Sequence, residues 1–396
     1  MEGGTSERSR HQGRANVAAV SGFARTFSRN GAPLHVAAHS HHPWPDVSFE
    51  AQVEAWEDAA RLLDRKWDHV FASVIPRAQA HVARQLGLPN PATIAFGPNT
   101  HGFVLRILSC LPRDRPLRVL TTGSEFMSFA RQMARLEEDG AAAVTRVATE
   151  PFDTFEARFA QEVRRGGWDL VFFSQIFFDS GYAVCDMAGI VNAVADPKTF
   201  VVVDGYHGFM AVPTDFGALA DRAFYLAGGY KYAMAGEGAC FLHAPPGYGA
   251  KPRDTGWYAG FSALEGGASG VPYARDGSRF LGATFDVTAL YRFNAVQDWL
   301  ARDGYSVPAM LAHVRGLEEI FLSQSRSRDV NRETLLVPDA ARRGRFLAFR
   351  TPRAGEIVAK LAAKNIITDH RGDRLRIGFG IYHTEDDARR LAAALG

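Results

Sequence analysis

Short apolar runs separated by mostly helix-length segments constrain the fold of this 396-residue chain more than any other feature. The runs are TIAF (93–96), RVLTT (118–122), AVTRVA (143–148), DLVFFS (169–174), TFVVVD (199–204), AFYLAG (223–228) and ACFLH (239–243). Strands that alternate with helices predict an α/β fold with a seven-stranded, mostly parallel sheet covered on both faces. The last two runs lie too close together for a crossover helix, so we expect one of them to be antiparallel.

The segments on either side of these runs predict the domain organisation. Residues 51–88 have helical periodicity that is interrupted at Pro76, which indicates two successive helices. Beyond residue 285 the pattern of predicted elements changes. A helical stretch is followed by the strand-like runs RFLAFR and RLRIGFGI, which is typical of a smaller α+β domain. We therefore predict a disordered tail over 1–16, a large domain with an N-terminal arm over 17–284, and a small domain over 285–396.

Charge and cysteine content argue against several classes of partner. The net charge of +2 comes from 45 basic and 43 acidic residues that are interspersed, so we expect neither nucleic acid nor a membrane as a partner. No apolar run is long enough to span a bilayer and no signal peptide is evident, so we expect a cytoplasmic protein. Cys110, Cys185 and Cys240 are widely spaced, which favours reduced, buried thiols over a disulfide or a metal site.

Two of the runs end beside ionisable residues that could work together. TFVVVD ends in Asp204, and Lys231 follows the next run within the glycine-rich stretch GGYKYAMAG, so both should lie at the same edge of the sheet. Burial would lower the pKa of Lys231 and favour a Schiff base. A carboxylate for a ring nitrogen and a lysine for an aldehyde are what pyridoxal 5'-phosphate requires. A purely structural ion pair would explain the same two residues.

Two further strand-to-helix junctions carry candidate site residues. Asn99 and Thr100 stand at a helix start, where free backbone N–H groups suit a phosphate, although a simple N-cap explains them equally. In LTTGSEFMSFARQM, Ser124 and Glu125 are candidate caps. Phe126 could cover the face of a pyridine ring, or it could be an ordinary core residue.

Beyond these residues, whole words of the sequence resemble a known family. SQIFFDSGYAVCDM, VVVDGYHGF and GGYKYAMAGEGACF follow one another in the order and spacing typical of kynureninases. Further short motifs also stand where that family has similar ones: Trp56, Trp67, GWY (256–258), LGAT (281–284) and DRLRIGFG (373–380). Over residues 34–392 the chain resembles the class V aminotransferase superfamily of fold-type I pyridoxal phosphate enzymes, and kynureninases most closely.

The resemblance implies roles for the residues around the cofactor ring. Lys231 would hold the cofactor covalently and move the Cα proton, with Tyr230 as a proton relay. Asp204 would pair with the ring nitrogen, His207 would line the cofactor's edge, and Phe126 would stack on the ring.

It also implies roles at the phosphate and at the substrate. Asn99 and Thr100, helped by Tyr230, would hold the phosphate, and Trp257 and Thr284 would come from the other subunit of a homodimer with a shared active site. Arg376 would take the α-carboxylate of a small amino-acid substrate in a bidentate grip, for which a guanidinium is suited. The competing interpretation is a surface arginine on a strand.

Two segments depart from the family pattern, both at the substrate end. A more polar motif of the family is replaced here by Gln175, Ile176, Phe177 and Phe178, which predicts a more apolar pocket. AAHSHHPWPD (37–46) replaces another, so His39, Ser40 and His41 should lie near the substrate, unless they form an exposed loop. We expect no metal there, because adjacent histidines in an extended segment point to opposite faces.

These observations predict a kynureninase-like hydrolase that uses pyridoxal phosphate to cleave the Cβ–Cγ bond of kynurenine or a related β-acyl amino acid. The alternative is a lyase, transaminase or other class V enzyme that acts on a different amino acid. A desulfurase is disfavoured because none of the cysteines falls in a glycine-rich loop. A non-catalytic interaction module is a third hypothesis, but it gives no physical reason to keep a desolvated amine.

Overall fold

A seven-stranded sheet forms the centre of the computed structural model, which describes residues 21–28, 31–263 and 270–396. Strands are numbered along the chain, and β1 (Leu34–His35) lies outside this sheet. The sheet contains β2 (Ile94–Gly97), β3 (Leu117–Thr122), β4 (Ala142–Val147), β5 (Leu170–Ser174), β6 (Phe200–Asp204), β7 (Phe224–Ala227) and β8 (Cys240–His243). Its order is β2-β8-β7-β6-β5-β3-β4, and only β8 runs antiparallel to its neighbours. The predicted fold class is confirmed, including one antiparallel strand among the last two.

The helices lie before, between and after these strands. They are α1 (Ala24–Phe27), α2 (Val47–Leu62), α3 (Lys66–His69), α4 (Ile75–Leu86), α5 (Thr100–Ser109), α6 (Met127–Glu138), α7 (Phe152–Arg164), α8 (Met187–Asn192), α9 (Thr288–Arg302), α10 (Val307–Gln324), α11 (Ala354–Ala362) and α12 (Glu385–Leu395).

The predicted helix break near Pro76 is misplaced. The chain bends at Leu63, whose φ of 52° ends α2, and a π-helical turn over Val70–Val74 then leads into α4. Pro76 follows this turn within a continuous helical segment, and the wider π-helical turn accommodates its ring and its missing N–H.

A second core lies under a three-stranded antiparallel sheet near the carboxyl terminus. That sheet contains β9 (Leu347–Arg350), β11 (Asp369–Arg371) and β12 (Arg374–Ile377), while β10 (Ile366–Ile367) pairs in parallel with β1. The amino-terminal segment therefore joins the small core, where Leu34 and Val36 are buried. Helix α9 instead packs its apolar face into the core of the large sheet. The predicted domain boundary at 284 remains a prediction, and the predicted tail 1–16 lies outside the described residues.

Parallel strands bring their carboxyl ends to one edge of the large sheet. Ser174 ends β5 directly opposite Asp204, which ends β6, and Asp204 in turn lies opposite Leu226 on β7. Side chains that follow these strands therefore converge. Among the described residues, no helix has both the length and the apolar character needed to cross a membrane.

Candidate active site

A cavity of about 250 Å³ opens at this edge of the sheet. Its wall contains seven of the residues predicted for the cofactor site: Asn99, Thr100, Phe126, Asp204, His207, Tyr230 and Lys231. Residues separated by more than 130 positions in the sequence thus meet around one space. Within the described chain, the wall does not include the other predicted residues, which are Trp257, Thr284, Arg376, His39, Ser40 and His41.

Lys231 lies in the constricted loop between β7 and β8, and only 5% of its surface is exposed. A side chain at Gly228 would collide with the Tyr206 hydroxyl and the Cys240 sulfur, so only glycine lets the loop pass this close. The amine Nζ lies 2.8 Å from His207 Nε2 and 4.6 Å from the centre of the Tyr206 ring. Burial lowers the pKa of Lys231 to about 7, although the charge of Asp204 acts in the opposite direction.

Asp204 presents a carboxylate to the same cavity. Its Oδ1 accepts the backbone N–H of Tyr206 at 2.9 Å. Burial raises the pKa of Asp204 to about 6, and the Tyr206 hydrogen bond and the charge of Lys231 limit the shift. Lys231 and Asp204 do not form a direct ion pair among the described residues, because the amine bonds to His207 instead. This disfavours the interpretation of the two as a purely structural pair.

His207 is buried and electrically neutral. Burial and the neighbouring Lys231 amine lower the pKa of His207 well below its usual value. Its Nε2 faces Lys231, while its Nδ1 is a buried nitrogen without a protein partner in the described chain. A buried polar atom beside a cavity is the kind of group that a bound ligand satisfies.

The start of helix α5 forms another part of the wall. Asn99 is the N-cap, and its side-chain oxygen accepts the N–H of Gly102 at 2.9 Å. The capping interpretation is therefore correct for Asn99, but the other N–H groups of the first turn remain beside the cavity. Those groups and the helix dipole suit an anion, so capping and phosphate binding are compatible.

Sequence reasoning expected Ile176 and Phe178 at an apolar pocket, but it missed Ser174 and Tyr206 in the wall. Along the strand end after β5, Ser174, Ile176 and Phe178 line the cavity. Gln175 points away from it, since its amide bonds to Tyr225 and Thr214. The position of Ser174 at a strand end, like that of Asp204, is the signal that could have identified it.

Aromatic rings form much of the remaining wall. The Phe126 ring meets the edge of Phe178 with centroids 5.5 Å apart, and Tyr206 lies 4.9 Å from Tyr230. Phe126 is also the N-cap residue of α6, which has no side-chain cap. The prediction that Ser124 or Glu125 caps this helix is therefore wrong.

Arg376 lies on β12 and is 2% exposed, so the interpretation as a surface arginine is wrong. Its Nε donates to Asp369 Oδ1 at 2.9 Å and its Nη2 to the other carboxylate oxygen. Its Nη1 donates to the carbonyl of Phe178 at 2.5 Å, which connects it to the cavity wall. The edge of the guanidinium that was predicted to grip a substrate carboxylate is thus occupied by a carboxylate of the chain itself.

The histidine segment divides between two places. His39 is fully buried, donates its Nε2–H to Asp369 Oδ1 at 2.9 Å, and stacks on Phe346. Burial lowers the pKa of His39 to about 4, so the ring is neutral and Nε2 is the donor. His41 instead stacks on Tyr230 with centroids 5.2 Å apart, and Ser40 Oγ lies 3.2 Å from His41 Nδ1. His41 therefore contacts a residue of the cavity wall, Tyr230.

Trp257 and Thr284 lie together on the surface of the large domain. The indole N–H of Trp257 donates to Thr284 Oγ1 at 3.3 Å, and both residues are exposed. The prediction that they complete the site of a second subunit remains a prediction.

Sequence comparisons point to one family. A family model described as the kynureninase C-terminal domain matches residues 312–395. A kynureninase from Deinococcus radiodurans is 25% identical over 361 residues, which cover 88% of this chain and 81% of that protein.

Solved structures with the same fold include two of C-DES and one of a cysteine desulfurase. A lysine-to-alanine mutant of C-DES with glycine covalently linked to its pyridoxal phosphate has a TM-score of 0.77 and 17% identity, and covers 94% of this chain and 98% of its own. The complex of the cystine C-S lyase C-DES with cysteine persulfide has a TM-score of 0.76 at 18% identity. This match covers 92% of the present chain and 97% of the C-DES chain. The apo cysteine desulfurase from Thermococcus onnurineus NA1 has a TM-score of 0.74 at 15% identity. This match covers 94% of the present chain and 98% of the desulfurase chain.

The chain has the same fold as these solved structures, and its cavity brings Lys231, Asp204 and the start of α5 together at one edge of the sheet. Together with this shared fold, the two sequence matches, both to kynureninases, support a kynureninase-like protein of the class V aminotransferase superfamily of fold type I.

Proposed function

We propose that this protein is a pyridoxal phosphate-dependent hydrolase that cleaves the Cβ–Cγ bond of kynurenine or a related β-acyl amino acid. The observation that carries the proposal is the buried amine of Lys231, 2.8 Å from His207 and in one cavity with Asp204. The kynureninase matches support this choice among class V reactions.

The residues of the cavity fit the cofactor, which is pyridoxal 5'-phosphate. Lys231 would form the covalent link and Asp204 would face the ring nitrogen. The first turn of α5, with Asn99 and Thr100, would hold the phosphate. The unpartnered Nδ1 of buried His207 supports a ligand beside it. Phe126 supplies an apolar ring to the cavity wall, as the predicted stacking requires.

Bound pyridoxal phosphate supplies an electron sink when a bond to the substrate Cα breaks. Lys231 Nζ, which is partly uncharged near neutral pH, takes the proton from Cα. Tyr230 keeps its phenolic proton because burial raises its pKa to about 12, so it can donate that proton to the substrate carbon Cβ. Water adds to the γ-carbonyl carbon and gives up a proton that replaces the one Tyr230 donates. The Cβ–Cγ bond breaks, and Lys231 returns its proton to Cα, which leaves an acid and alanine.

Two features at the substrate end of the site bear on the substrate. Ile176 and Phe178 make the cavity apolar beside Phe126, which suits the aryl group of an aromatic β-acyl amino acid. Arg376 has one N–H on Nη1 and one on Nη2 beyond its bonds to Asp369 and Phe178, and these would meet an α-carboxylate end-on.

The partner and the compartment are also part of the proposal. A homodimer would bring exposed Trp257 and Thr284 to the second subunit's site. Cys110, Cys185 and Cys240 are free thiols, which supports a reducing compartment such as the cytoplasm.

The test is incubation of the cofactor-loaded protein with kynurenine while anthranilate fluorescence and alanine are measured. Wild type should form both products, and Lys231→Ala should form neither and should lack the visible absorbance of bound cofactor. If wild type binds cofactor and its spectrum responds to other amino acids but not to kynurenine, the substrate assignment is wrong.

The second candidate is a class V lyase, transaminase or other enzyme that acts on a different amino acid. It is favoured by the edge of Arg376 that Asp369 occupies at the substrate end. Adding a panel of amino acids, including cystine, to the same assay separates the two candidates.

A further inference from the structure

A buried carboxyl group, that of Glu125, lies next to the cavity but outside the proposed mechanism. Glu125 stands between β3 and Phe126, and only 5% of its surface is exposed. In the described chain its polar contacts are with Thr122 and Ser174. A buried acid with specific partners beside a ligand cavity is a candidate functional group.

The contacts of Glu125 assign different roles to its two oxygens. Oε1 accepts the Thr122 hydroxyl at 2.7 Å and the backbone N–H of Ser174 at 3.1 Å. Thr122 Oγ1 already accepts the N–H of Ser124 at 3.1 Å, so its own proton is free for Glu125. Oε2 has a single partner, Ser174 Oγ, at 2.6 Å. When Glu125 is neutral, its proton therefore lies on Oε2, between that oxygen and Ser174.

Ser174 connects this acid to the site. It lines the cavity and lies opposite Asp204 in the register of β5 and β6. When Oε2 carries the proton, it donates to Ser174 Oγ, and the Ser174 hydroxyl proton is free to point into the cavity. When Glu125 is ionised, Ser174 must donate to it, and only oxygen lone pairs face the cavity.

We propose that Glu125 is a positioning residue that acts through Ser174 and decides whether this hydroxyl offers a proton or a lone pair beside Asp204. Burial raises the pKa of Glu125 to about 8. The hydrogen bonds from Ser174 and Thr122 act to lower this pKa, and the charge of Asp204 acts to raise it. The change of state therefore falls near neutral pH. The other ionisable groups nearby are Lys231 and His207 across the cavity and Asp179, which accepts a hydrogen bond from Ser124.

The test compares wild type with Glu125→Gln, Ser174→Ala and the double variant, all loaded with pyridoxal phosphate. This test rests on the proposed function, because its first readout is the visible absorbance of the bound cofactor as a function of pH. The glutamine amide donates to Ser174 at every pH and so imitates the neutral acid. Wild type and Glu125→Gln should therefore share one spectrum below about pH 6 and diverge above about pH 8. In the Ser174→Ala background, Glu125→Gln should cause no further change.

Two outcomes would overturn the proposal: spectra of wild type and Glu125→Gln that coincide at every pH, or a divergence that persists undiminished without the Ser174 hydroxyl. If wild type takes up no cofactor, the proposed function fails, and Glu125 is judged on cofactor-free protein by thermal unfolding. There Glu125→Gln should gain a few °C over wild type as pH rises from about 5 to about 8, because in that range Glu125 of wild type ionises only in the unfolded chain. In the Ser174→Ala background that gain should be larger, because the hydrogen bond from Ser174 lowers the pKa of Glu125. A gain that does not change with pH, or one that Ser174→Ala leaves unaltered, overturns the proposal.

Discussion

The reactivity of Lys231 depends on how much of its amine is uncharged near neutral pH. Burial is the largest influence and lowers its pKa to about 7, and the charge of Arg376 adds to this, while Asp204 opposes it. His207 is neutral and can accept a hydrogen bond from the ammonium form. A lysine with a lowered pKa is deprotonated above that value, so the nucleophile is available in the range where enzymes usually work.

Cofactor uptake should follow this titration. After cofactor-free protein is mixed with pyridoxal phosphate, the rate at which visible absorbance grows should rise about tenfold per pH unit below pH 7 and level off above it. Lys231→Arg, which stays charged throughout, should show no such signal. A rate that continues to rise towards pH 10 would mean that the lysine keeps its ordinary pKa.

Some residues of the site could be predicted from the sequence and others could not. Asp204 and Lys231 were accessible because each follows a strand, and parallel strands place their ends at one edge. The contact between Glu125 and Ser174 joins β3 to β5, which are neighbours only in the observed strand order. No local pattern specifies that order, so this contact required the structure.

At the scale of the elements, the pairing of β11 with β12 sets the position of Arg376. The register places Asp369 directly opposite Arg376, and His39, in the segment after β1, reaches the same carboxylate. Burial acts to raise the pKa of Asp369, but the hydrogen bond from His39 and the charge of Arg376 lower it well below its usual range. This carboxylate therefore stabilises the fold above its ordinary pKa, and that contribution is lost as pH falls below that value.

Asp369→Asn should be strongly destabilising because it leaves a buried guanidinium without its charged partner. We expect a loss of about 3 kcal/mol in the free energy of unfolding at pH 7, measured by chemical denaturation, and a smaller loss at acidic pH. Glu319→Gln, which removes the same charge from an exposed pair with Arg332, is the control and should change little. Equal effects of the two variants would contradict the assigned role of Asp369.

The strands of the large sheet were predicted to within about one residue because apolar runs bounded by turn residues have few alternatives. The helix features were predicted less well. Pro76 was taken as a break, but its ring is accommodated after a π-helical turn, and the chain bends at Leu63 instead. Glu125 was taken as a cap, but tertiary contacts with Ser174 hold it. In both cases packing outweighed a local signal.

At the scale of the whole molecule, apolar side chains on the surface indicate where a second subunit would bind. Helix α2 exposes Phe49, Val53 and Trp56 at helical spacing, and Trp56 is 71% exposed. A row of this kind on a surface helix is typical of a protein interface. Trp257 is also exposed beside Thr284, as residues lent to a partner would be.

If the active site is shared, two defective variants should complement each other. Trp257→Ala/Thr284→Ala should retain cofactor at least about tenfold more weakly than wild type, since it removes two hydrogen-bond donors from the neighbouring site. Lys231→Ala cannot form the covalent link but keeps both donors. After the two variants are dissociated and reassociated in equal amounts, half of the dimers should be mixed, and each mixed dimer has one intact site. Tight cofactor retention should then recover to about a quarter of the wild-type level, measured after gel filtration with light scattering to establish the dimer. Mixed dimers that regain nothing would place Trp257 and Thr284 outside the shared site, and a monomeric wild type would rule out the dimer itself.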